Sequence, residues 1–338
     1  MNQISSNKEI TIIVVTWNSR EFLFPLFESF KKQSFKNYQV IVVDNNSSDG
    51  TIEFIKESYP QFQVLKNNGN AGFAKANNQA IKLADSPFVL ICNPDIILEP
   101  EFLSEALKTA RGNDKIGSVG GKLLRLKGSL KEQADSDTID STGILFFKSR
   151  RAVDRGENEQ DIGQYDNLEE VFGISGALAL YNKSALEKIA VDDEYFDEDF
   201  FAYKEDVDLA WRLRLAGYQS IYNPAARAYH CRSIARKTDL SDKGTVINRA
   251  SKTARANYLS YRNHLWMLIK NDGWTGLFLH PAIGWYEFKK LIYLIFKEPA
   301  IIKALPDFWK KIPKMIQKRK KIKLMKLAKN NNLTKWFK

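Results

Sequence analysis

The first 92 residues alternate between two kinds of pattern, and this alternation constrains the fold more than any other feature. Runs of β-branched and other apolar residues predict strands at 10–16, 38–44, 62–65 and 87–92. Helical patterns lie between them, at 20–33, 51–58 and 73–84. Strands that are apolar on both faces and alternate with helices form a parallel sheet covered by helices. The sequence therefore predicts an α/β fold built on a mostly parallel sheet.

The pattern is weaker further along the chain. Residues 115–165 are polar and predict mobile connections rather than regular elements. The elements predicted after them are a strand at 171–181, a helix at 183–189 and a strand at 218–222. A further helix is predicted to end at Gly217. After about residue 250 the chain is helical and increasingly rich in lysine.

Polar or glycine-rich residues follow each of the early strands, in the stretches TWNS, DNNSSDG, NNGNAG and NPD. Ligands of open α/β sheets bind beyond the carboxyl ends of the strands, so we expect these four loops to line one crevice. Neither G-x-G-x-x-G nor G-x-x-x-x-G-K-[ST] occurs in the sequence. A nicotinamide dehydrogenase and a P-loop ATPase are therefore disfavoured.

Two of these loops suit a nucleotide. Asp44, at the end of the second strand, can accept a hydrogen bond from the imide N–H of uracil or thymine, as the acid of a dinucleotide fold accepts one from ribose. Residues 67–78 lead into a helix whose free N–H groups suit a diphosphate, with Lys75 as an additional cation. A simple turn with Gly69 and Gly72 in left-handed conformation explains the same stretch equally well.

Acidic residues are concentrated at 194–208, which contains seven of them. One explanation of Glu205 and Asp206 is simply that acids in the first turn of a helix are favoured by its dipole. The acids at 197–199 are set among the aromatic residues of 195–203, which predicts a cleft wall where desolvation raises the pKa of a carboxylate toward that of a general base. His230 follows a strand that should return to the same edge of the sheet, although a lone histidine is more often structural.

Six motifs occur in order: Thr16-Trp17-Asn18, Asp44 to Gly50, Asn68 to Ala74 with Asn77, Asn93-Pro94-Asp95, Ser175-Gly176-Ala177, and Glu205 to Leu209. Together they resemble the family-2 inverting glycosyltransferases of the GT-A fold, and most closely the rhamnosyltransferase-like branch. The resemblance covers about residues 10–235. It implies a Rossmann-like, mostly parallel sheet flanked by helices, followed here by a C-terminal helical basic extension.

The resemblance also implies a site for a dTDP- or UDP-sugar donor. The residues expected to bind the donor are Thr16, Trp17, Asn18, Asp44, Asn68, Gly72, Lys75, Asn77, Asn93 and Asp95. Asp95, with His230, would coordinate Mg²⁺ or Mn²⁺ on the donor diphosphate. Asn93 stands where the family's D-x-D motif has its first acid, so one negative charge is missing. Because hard cations prefer carboxylate oxygens but also accept amide carbonyls, we expect weaker or donor-dependent metal binding.

Catalysis is assigned by the same resemblance. Asp206 would be the catalytic base, with Glu205 as its neighbour and possible substitute. The base would take the proton from an acceptor hydroxyl as that oxygen displaces the nucleoside diphosphate in line, which inverts the anomeric centre. The metal and the helix N-terminus would offset the charge on the leaving group, and no covalent intermediate is required.

The basic residues are concentrated at the C-terminal end. Residues 286–338 contain 16 of the 51 Lys and Arg residues and 3 of the 40 acidic ones, so they carry +13 and the rest carries −2. Lysines mixed with Trp, Phe, Leu and Ile predict an amphipathic surface in contact with an anionic membrane. The alternative is a helical cap that packs a homodimer. Nucleic acid is not expected, since no recognised motif accompanies the charge.

These patterns predict three parts: a catalytic domain at 1–235, a helical extension at 236–285 and a membrane-surface tail at 286–338. With two cysteines, no signal peptide and no spanning helix, the expected location is the cytoplasm, at the inner face of the cell membrane. A lipid-linked glycan acceptor would explain that location.

The leading functional hypothesis is transfer of a sugar, best L-rhamnose from dTDP-L-rhamnose, to a hydroxyl of a lipid-linked cell-surface glycan. A sugar nucleotidyltransferase is an alternative, but it needs a loop rich in Gly, Arg and Lys after the first strand, and TWNSREF is not one. Asn93 leaves open a third possibility, a non-catalytic subunit that binds a sugar nucleotide or a membrane.

Overall fold

The computed structural model describes residues 8–126, 137–231, 249, 252–272, 280–304, 306–325 and 333–338. The strands among these residues are β1 (Ile10–Thr16), β2 (Tyr38–Asp44), β3 (Gln63–Lys66), β4 (Phe88–Cys92), β5 (Ile96–Leu98), β6 (Ile116–Arg125), β7 (Ile139–Ser141), β8 (Ile144–Phe146), β9 (Ala152–Asp154), β10 (Glu169–Val171), β11 (Leu178–Asn182) and β12 (Gln219–His230). The α-helices are α1 (Arg20–Lys31), α2 (Thr51–Ser58), α3 (Phe73–Leu83), α4 (Phe102–Ala110), α5 (Lys183–Ile189), α6 (Glu205–Leu215), α7 (Ala254–Met267), α8 (Pro281–Lys297), α9 (Pro299–Ala304) and α10 (Pro306–Met325). A π-helical turn at Leu268–Asp272 follows α7, and short 3₁₀ helices lie at Glu198–Phe200 and Leu333–Trp336.

One large sheet organises the described residues, with strand order β10-β12-β6-β11-β4-β1-β2-β3. The pairs β1–β2, β1–β4, β2–β3 and β6–β12 are parallel, whereas β11 is antiparallel to both β4 and β6. Thr16 lies opposite Asp44, and Val14 lies opposite Cys92. The carboxyl ends of β1, β2 and β4 therefore meet at one edge. The predicted α/β fold with a mostly parallel sheet is confirmed.

Alternating residues of the strands pack on opposite faces of the sheet, as the strand period of two requires. Ile12 and Val14 belong to the cluster that contains the buried residues of α1 and α4. Ile13 belongs to the cluster on the other face, formed with α3, α5 and α6. This covering on both faces explains why the early strands are continuously apolar.

The weak pattern at 115–165 conceals regular structure, so the prediction of connections there is wrong for part of this region. Residues 127–136 lie outside the described residues, but β6 is a ten-residue strand buried almost throughout. Its glycines mask the signal, since a Cβ on Gly121 would lie 1.8 Å from the carbonyl oxygen of Ala226. Glycine in a strand often marks such a close approach of another backbone.

The single strand predicted at 171–181 is also wrong, because the structure has two strands there. Val171 ends β10, which pairs with β12, and Leu178 begins β11, which lies between β4 and β6. Two glycines allow the chain to pass close to α6 between the strands: a Cβ on Gly173 would lie 2.3 Å from Ala210 Cβ, and one on Gly176 would lie 3.1 Å from Asp206 Cβ.

The C-terminal helices pack on the sheet domain through a shared apolar cluster. Phe172 and Trp211 of the sheet domain join Trp266 of α7 with Phe308 and Met315 of α10. The predicted boundary at 285 falls within α8, and the boundary at 235 lies outside the described residues. The division into three parts stays a prediction.

Buried ion pairs form a second contact between the sheet domain and the extension. Lys318 of α10 lies within 3.0 Å of carboxylate oxygens of Glu194, Asp197 and Asp199. Lys270, on the π-helical turn, lies 2.5 Å from the other oxygen of Asp197. Burial alone would raise the pKa of Asp197, but the two ammonium groups outweigh it and hold this pKa well below its usual range. The predicted cleft wall with raised pKa at 197–199 is therefore wrong for Asp197.

Part of the charge of the tail is thus neutralised within the chain. Lys311 and Lys314 also lie 3.1 Å and 2.6 Å from Asp199, and Lys335 lies 3.4 Å from Glu170. These internal partners were not predicted from the sequence, in which the charge of the tail indicated an external negative partner.

We expect Lys318→Met to lower the unfolding free energy by about 3 kcal/mol, because it removes one of the two cations that neutralise the buried Asp197 carboxylate. Lys314→Met is the matched control: Lys314 pairs with the same cluster, but its side chain is 46% exposed. Its loss should be below about 1 kcal/mol. Urea unfolding at neutral pH measures both values, and equal losses would contradict the buried role of Lys318.

Candidate active site

The ends of β1 and β2 are joined by a buried polar pair. Thr16 Oγ1 donates to Asp44 Oδ1 at 3.0 Å, and the Ser47 N–H donates to Asp44 Oδ2 at 2.9 Å. Thr16 and Asp44 are fully buried. The Asp44 carboxylate is therefore held in one orientation at the edge where a nucleotide is expected.

The loops after β1 and β2 are bonded to each other. Asn18 has a left-handed backbone with φ of 52°, and its Oδ1 accepts the Ser48 N–H at 2.8 Å. Ser47 Oγ accepts the Asn18 N–H at 2.8 Å. The neighbouring Trp17 side chain is left 56% exposed. Exposure of a large aromatic ring at this edge suits stacking on a flat ligand.

The start of α3 is in contact with the segment before α6. Gly72, with φ of 83°, precedes α3, and a Cβ there would lie 2.5 Å from the Phe201 ring. The Ala74 N–H donates to the Phe201 carbonyl at 3.1 Å, so one of the free N–H groups expected at this helix start is occupied. Asn68 and Lys75 are exposed.

Asn77 is fully buried on α3. Its Nδ2 donates to the Phe73 carbonyl at 2.9 Å. Its Oδ1 has no hydrogen-bond partner among the described residues. An unpaired buried amide oxygen leaves an acceptor for a ligand donor.

The NPD stretch follows β4 and is hydrogen-bonded to the residue before β11 and to the residue after β12. The Asn93 N–H donates to the Ala177 carbonyl at 2.9 Å, at the start of β11. The Asp95 carbonyl accepts the Cys231 N–H at 2.8 Å. These bonds place Asp95 beside His230, with 3.2 Å between Oδ2 and Nε2.

His230 lies between two carboxylates. Its Nδ1 is 2.7 Å from Asp140 Oδ2, and Arg125 Nε is 3.3 Å from the other oxygen of Asp140. Burial alone would lower the pKa of His230, but Asp95 and Asp140 outweigh it and raise the pKa to about 9. The sequence analysis missed Asp140, because β7 is too short for a periodicity test and lies in the region where no strand was predicted.

Asp95 and His230 could hold a divalent cation once the imidazole loses its Nε2 proton, a loss that the raised pKa of about 9 opposes at neutral pH. Adjacent ligands of an octahedral Mg²⁺ lie about 2.9 Å apart, close to the 3.2 Å between these two side-chain atoms. Asp140 fixes the opposite ring nitrogen, as carboxylates commonly do for metal-binding histidines. The oxygens of Glu194, Asp197 and Asp199 also converge, but there the ammonium group of Lys318 lies among them.

Asp206 lies at the start of α6 and is held by the turn before β11. Its Oδ2 accepts the Gly176 N–H at 3.1 Å, and its Oδ1 accepts the Val207 N–H at 2.8 Å. The next residue, Ala177, accepts the Asn93 N–H, so the base candidate and the NPD stretch are hydrogen-bonded to neighbouring residues of the same turn. Burial raises the pKa of Asp206, and the Gly176 N–H opposes this rise only in part.

Glu205 and Asp154 are two further acids near Asp206, and their charges and pKa values are linked to it. Glu205 is buried, and its Oε2 has no hydrogen-bond partner among the described residues. Burial, and then the charge of Asp206, raise the pKa of Glu205 to about 8. Asp154, at the end of β9, further raises the pKa of Asp206 and was missed by the sequence analysis for the same reason as Asp140.

Comparison with known proteins agrees with this geometry. The family model described as Glycosyl transferase family 2 matches residues 11–190, more than half of the chain. The chain belongs to glycosyl transferase family 2. The model described as Glycosyl transferase family group 2 matches residues 146–297, which include the Glu205–Asp206 pair and α7. The predicted family and the predicted enzyme class, a glycosyltransferase, are confirmed.

Two curated relatives of this family 2 chain match it at the same level of identity. The N-acetylglucosaminyl-diphospho-decaprenol L-rhamnosyltransferase of Mycobacterium tuberculosis is 26% identical over 237 residues, which are 65% of this chain and 75% of the relative. The poly-beta-1,6-N-acetyl-D-glucosamine synthase of Staphylococcus aureus is 26% identical over 229 residues, again 65% of this chain. The match spans about half of that synthase, 49% of its length.

Solved structures confirm the predicted GT-A fold. S. aureus TarS 1-349 has a TM-score of 0.55 at 18% identity, and the match covers 97% of this chain and 89% of TarS 1-349. GalNAc-T7 with UDP, GalNAc and Mn²⁺ has a TM-score of 0.56 at 10% identity, covering 78% of this chain and 48% of that one. None of the helices that the structure describes is both long enough and apolar enough to span a bilayer.

The raised pKa of Glu205 predicts a pH-dependent stability. The native state keeps a proton that the unfolded state loses, so stability falls as pH rises from the ordinary carboxyl range toward about 8. Glu205→Gln removes this effect. Its unfolding free energy relative to wild type should therefore increase by more than about 1 kcal/mol between about pH 5 and about pH 8.

Denaturant unfolding at several pH values measures this difference. Glu53→Gln, on the exposed side of α2, controls for the loss of one negative charge. A difference between Glu205→Gln and wild type that stays constant across this pH range would contradict the buried, protonated state of Glu205.

Proposed function

We propose that this family 2 protein is an inverting glycosyltransferase that transfers a sugar, best L-rhamnose from dTDP-L-rhamnose, to a hydroxyl of a lipid-linked cell-surface glycan. The observation that carries the proposal is the Asp206 carboxylate, which is fixed by Gly176 on the same turn that holds the NPD stretch. A buried carboxylate with a raised pKa, held in one orientation by backbone N–H groups, is suited to a general base. The name of the mycobacterial relative supports rhamnose and a lipid-linked acceptor.

In the proposed reaction, Asp206 takes the proton of the acceptor hydroxyl while its oxygen attacks the anomeric carbon. The bond from that carbon to the diphosphate oxygen breaks, and the nucleoside diphosphate leaves with the bonding electrons. Attack and departure occur on opposite sides of the carbon, so the configuration inverts. One proton acceptor and no nucleophilic side chain are needed, which agrees with a base held by two backbone N–H groups.

The donor would bind along the edge formed by β1, β2 and α3. Each Asp44 oxygen has one intramolecular donor and keeps a lone pair, which supports its proposed bond to a pyrimidine imide. Trp17 and Asn18 would line the nucleotide pocket, and Asn77 Oδ1 is an available acceptor. The exposed Asn68 and Lys75, with Gly72, would lie along the diphosphate.

Asp95 and His230 would hold Mg²⁺ or Mn²⁺. Such a cation supplies positive charge that stabilises a departing diphosphate. Asn93 would contribute at most a neutral oxygen, so its contribution to metal affinity would be smaller than that of the acid it replaces. Its backbone N–H is already bound to Ala177, which suggests that part of its role is to fix the turn.

Contact with the inner face of the cell membrane would bring a cytoplasmic enzyme to a lipid-linked acceptor. On α8, exposed apolar side chains recur at spacings of three and four residues: Trp285, Phe288, Ile292, Ile295 and Phe296. Such a face, with lysines at its margins, is typical of helices that lie in the membrane interface. Because Lys311, Lys314 and Lys318 pair within the chain, we assign the contact to α8 rather than to these lysines.

We expect Asp206→Asn to abolish nucleoside diphosphate release, because an amide cannot take the acceptor proton. The donor affinity measured by calorimetry should stay within about threefold of wild type, since the isosteric amide oxygen can still accept the Gly176 N–H. The exposed Asp193→Asn is the control for loss of an acid. Turnover retained in Asp206→Asn would overturn the base assignment, and its loss only in the double variant with Glu205→Gln would assign the base to Glu205.

The assay should use dTDP-rhamnose and common UDP- and GDP-sugars, with lipid-linked acceptors, and be repeated with EDTA and with added Mn²⁺. Loss of turnover with EDTA and its recovery with Mn²⁺ would support the Asp95–His230 site. A nucleotidyltransferase would instead release pyrophosphate from a nucleoside triphosphate, and a non-catalytic subunit would bind a donor without turnover.

For the membrane contact, we expect Trp285→Ser with Phe288→Ser to lower binding to vesicles containing anionic phospholipid at least about tenfold. Two aromatic side chains that leave water for the membrane interface contribute several kcal/mol to binding. Phe24→Ser, at an exposed aromatic residue of α1, is the matched control. Unchanged co-sedimentation of the α8 variant would reject the contact. A variant that instead changes from dimer to monomer in ultracentrifugation would favour pairing of two copies through α8.

A further inference from the structure

The segment that leads into the candidate base has an unusual backbone. Within residues 200–204, which we call the lead-in segment, Phe201, Tyr203 and Lys204 have φ values of 65°, 73° and 69°. Left-handed backbone at a residue other than glycine is strained and persists only where neighbouring groups enforce it. Three such residues in four positions therefore require specific partners.

Those partners come from α7. Asn263 is fully buried, and its Nδ2 lies 2.8 Å, 2.9 Å and 2.7 Å from the carbonyl oxygens of Phe200, Ala202 and Tyr203. The two hydrogens of one side-chain amide are thus shared among three backbone carbonyls of the lead-in segment.

Arg262 supports this amide. Its Nε donates to Asn263 Oδ1 at 3.1 Å, which orients the Nδ2 group toward the lead-in segment. Its Nη2 donates to the Asp199 carbonyl at 3.0 Å and lies 3.3 Å from the Phe200 carbonyl. The guanidinium carbon lies 4.2 Å from the centre of the Trp266 ring, so the arginine is itself held by stacking.

The lead-in segment connects both sides of the candidate active site. Its last carbonyl, that of Lys204, accepts the Asp208 N–H at 3.0 Å and so begins the hydrogen bonding of α6, where Asp206 lies. Its Phe201 carbonyl accepts the Ala74 N–H at the start of α3, on the proposed donor side. A change in these dihedral angles would move the first turn of α6 relative to α3.

We propose that Asn263 and Arg262 are positioning residues, which fix the lead-in segment so that Asp206 lies at the correct distance from the donor. This proposal rests on the role of Asp206 given above. Neither side chain needs to touch substrate, because each acts through backbone carbonyls. A misplacement of about 1 Å at a reacting group can lower the rate about hundredfold.

Asn263→Asp tests the proposal, because aspartate has the same shape but cannot donate to the three carbonyls. We expect kcat to fall about hundredfold, with the donor KM within about threefold of wild type. Asn257→Asp is the matched control on the same helix: Asn257 is also buried and donates to one carbonyl, that of Arg249, at 2.9 Å. It should lose stability but keep kcat within about twofold.

Two further measurements protect the test against a variant that fails to fold. Arg262→Lys keeps the charge but cannot bind Asn263 and two carbonyls together, and we expect kcat to fall about tenfold. Hydrogen–deuterium exchange should rise at residues 199–206 in Asn263→Asp and not in Asn257→Asp. If both Asn263→Asp and Arg262→Lys keep the kcat of Asn257→Asp, or if exchange is unchanged, the positioning role is rejected.

The outcomes separate this proposal from the proposed function. Loss of turnover in Asp206→Asn with normal kcat in Asn263→Asp would overturn the positioning role alone. Full turnover in Asp206→Asn would overturn the base assignment, and the exchange measurement would still report whether α7 fixes the lead-in segment.

Discussion

The architecture depends on neutralising one buried carboxylate. Asp197 is nearly inaccessible to water, and an ionised carboxylate in such a place needs cations. They come from two elements of the extension, with Lys270 on the π-helical turn and Lys318 on α10. Because the acid belongs to the sheet domain and both cations follow it by more than 70 residues, the catalytic sheet and the helices after it form one structural unit.

The patterns of neighbouring residues predicted the strands whose formation depends on those patterns alone. The strands β1, β2 and β4 are continuous apolar runs, so their bounds and their shared edge could be predicted within one residue. The strand β6 could not be predicted in this way. Its glycines are required by close contact with Ala226 and Ile174, which lie far away in the sequence. Contacts between distant segments are what single-residue propensities omit.

The candidate site shows the same division. Short, self-contained motifs at the ends of β2 and β4 and at the start of α6 led to Asp44, Asp95 and Asp206. Asp140 and Asp154 lie on three-residue strands, where periodicity carries no information. The predicted acidic wall at 197–199 was wrong for Asp197 because its cations are remote in sequence, and composition does not tell which acid a lysine will meet.

The position of Lys318 has a consequence for how metal dependence is understood. Its ammonium group lies among three carboxylates whose spacing suits a metal ion, and it is tethered to the chain. A counter-ion of this kind cannot be extracted by a chelator or exchanged for another metal. The contact that this cluster makes between the sheet domain and the extension is thereby independent of divalent cations, and a chelator would not break it.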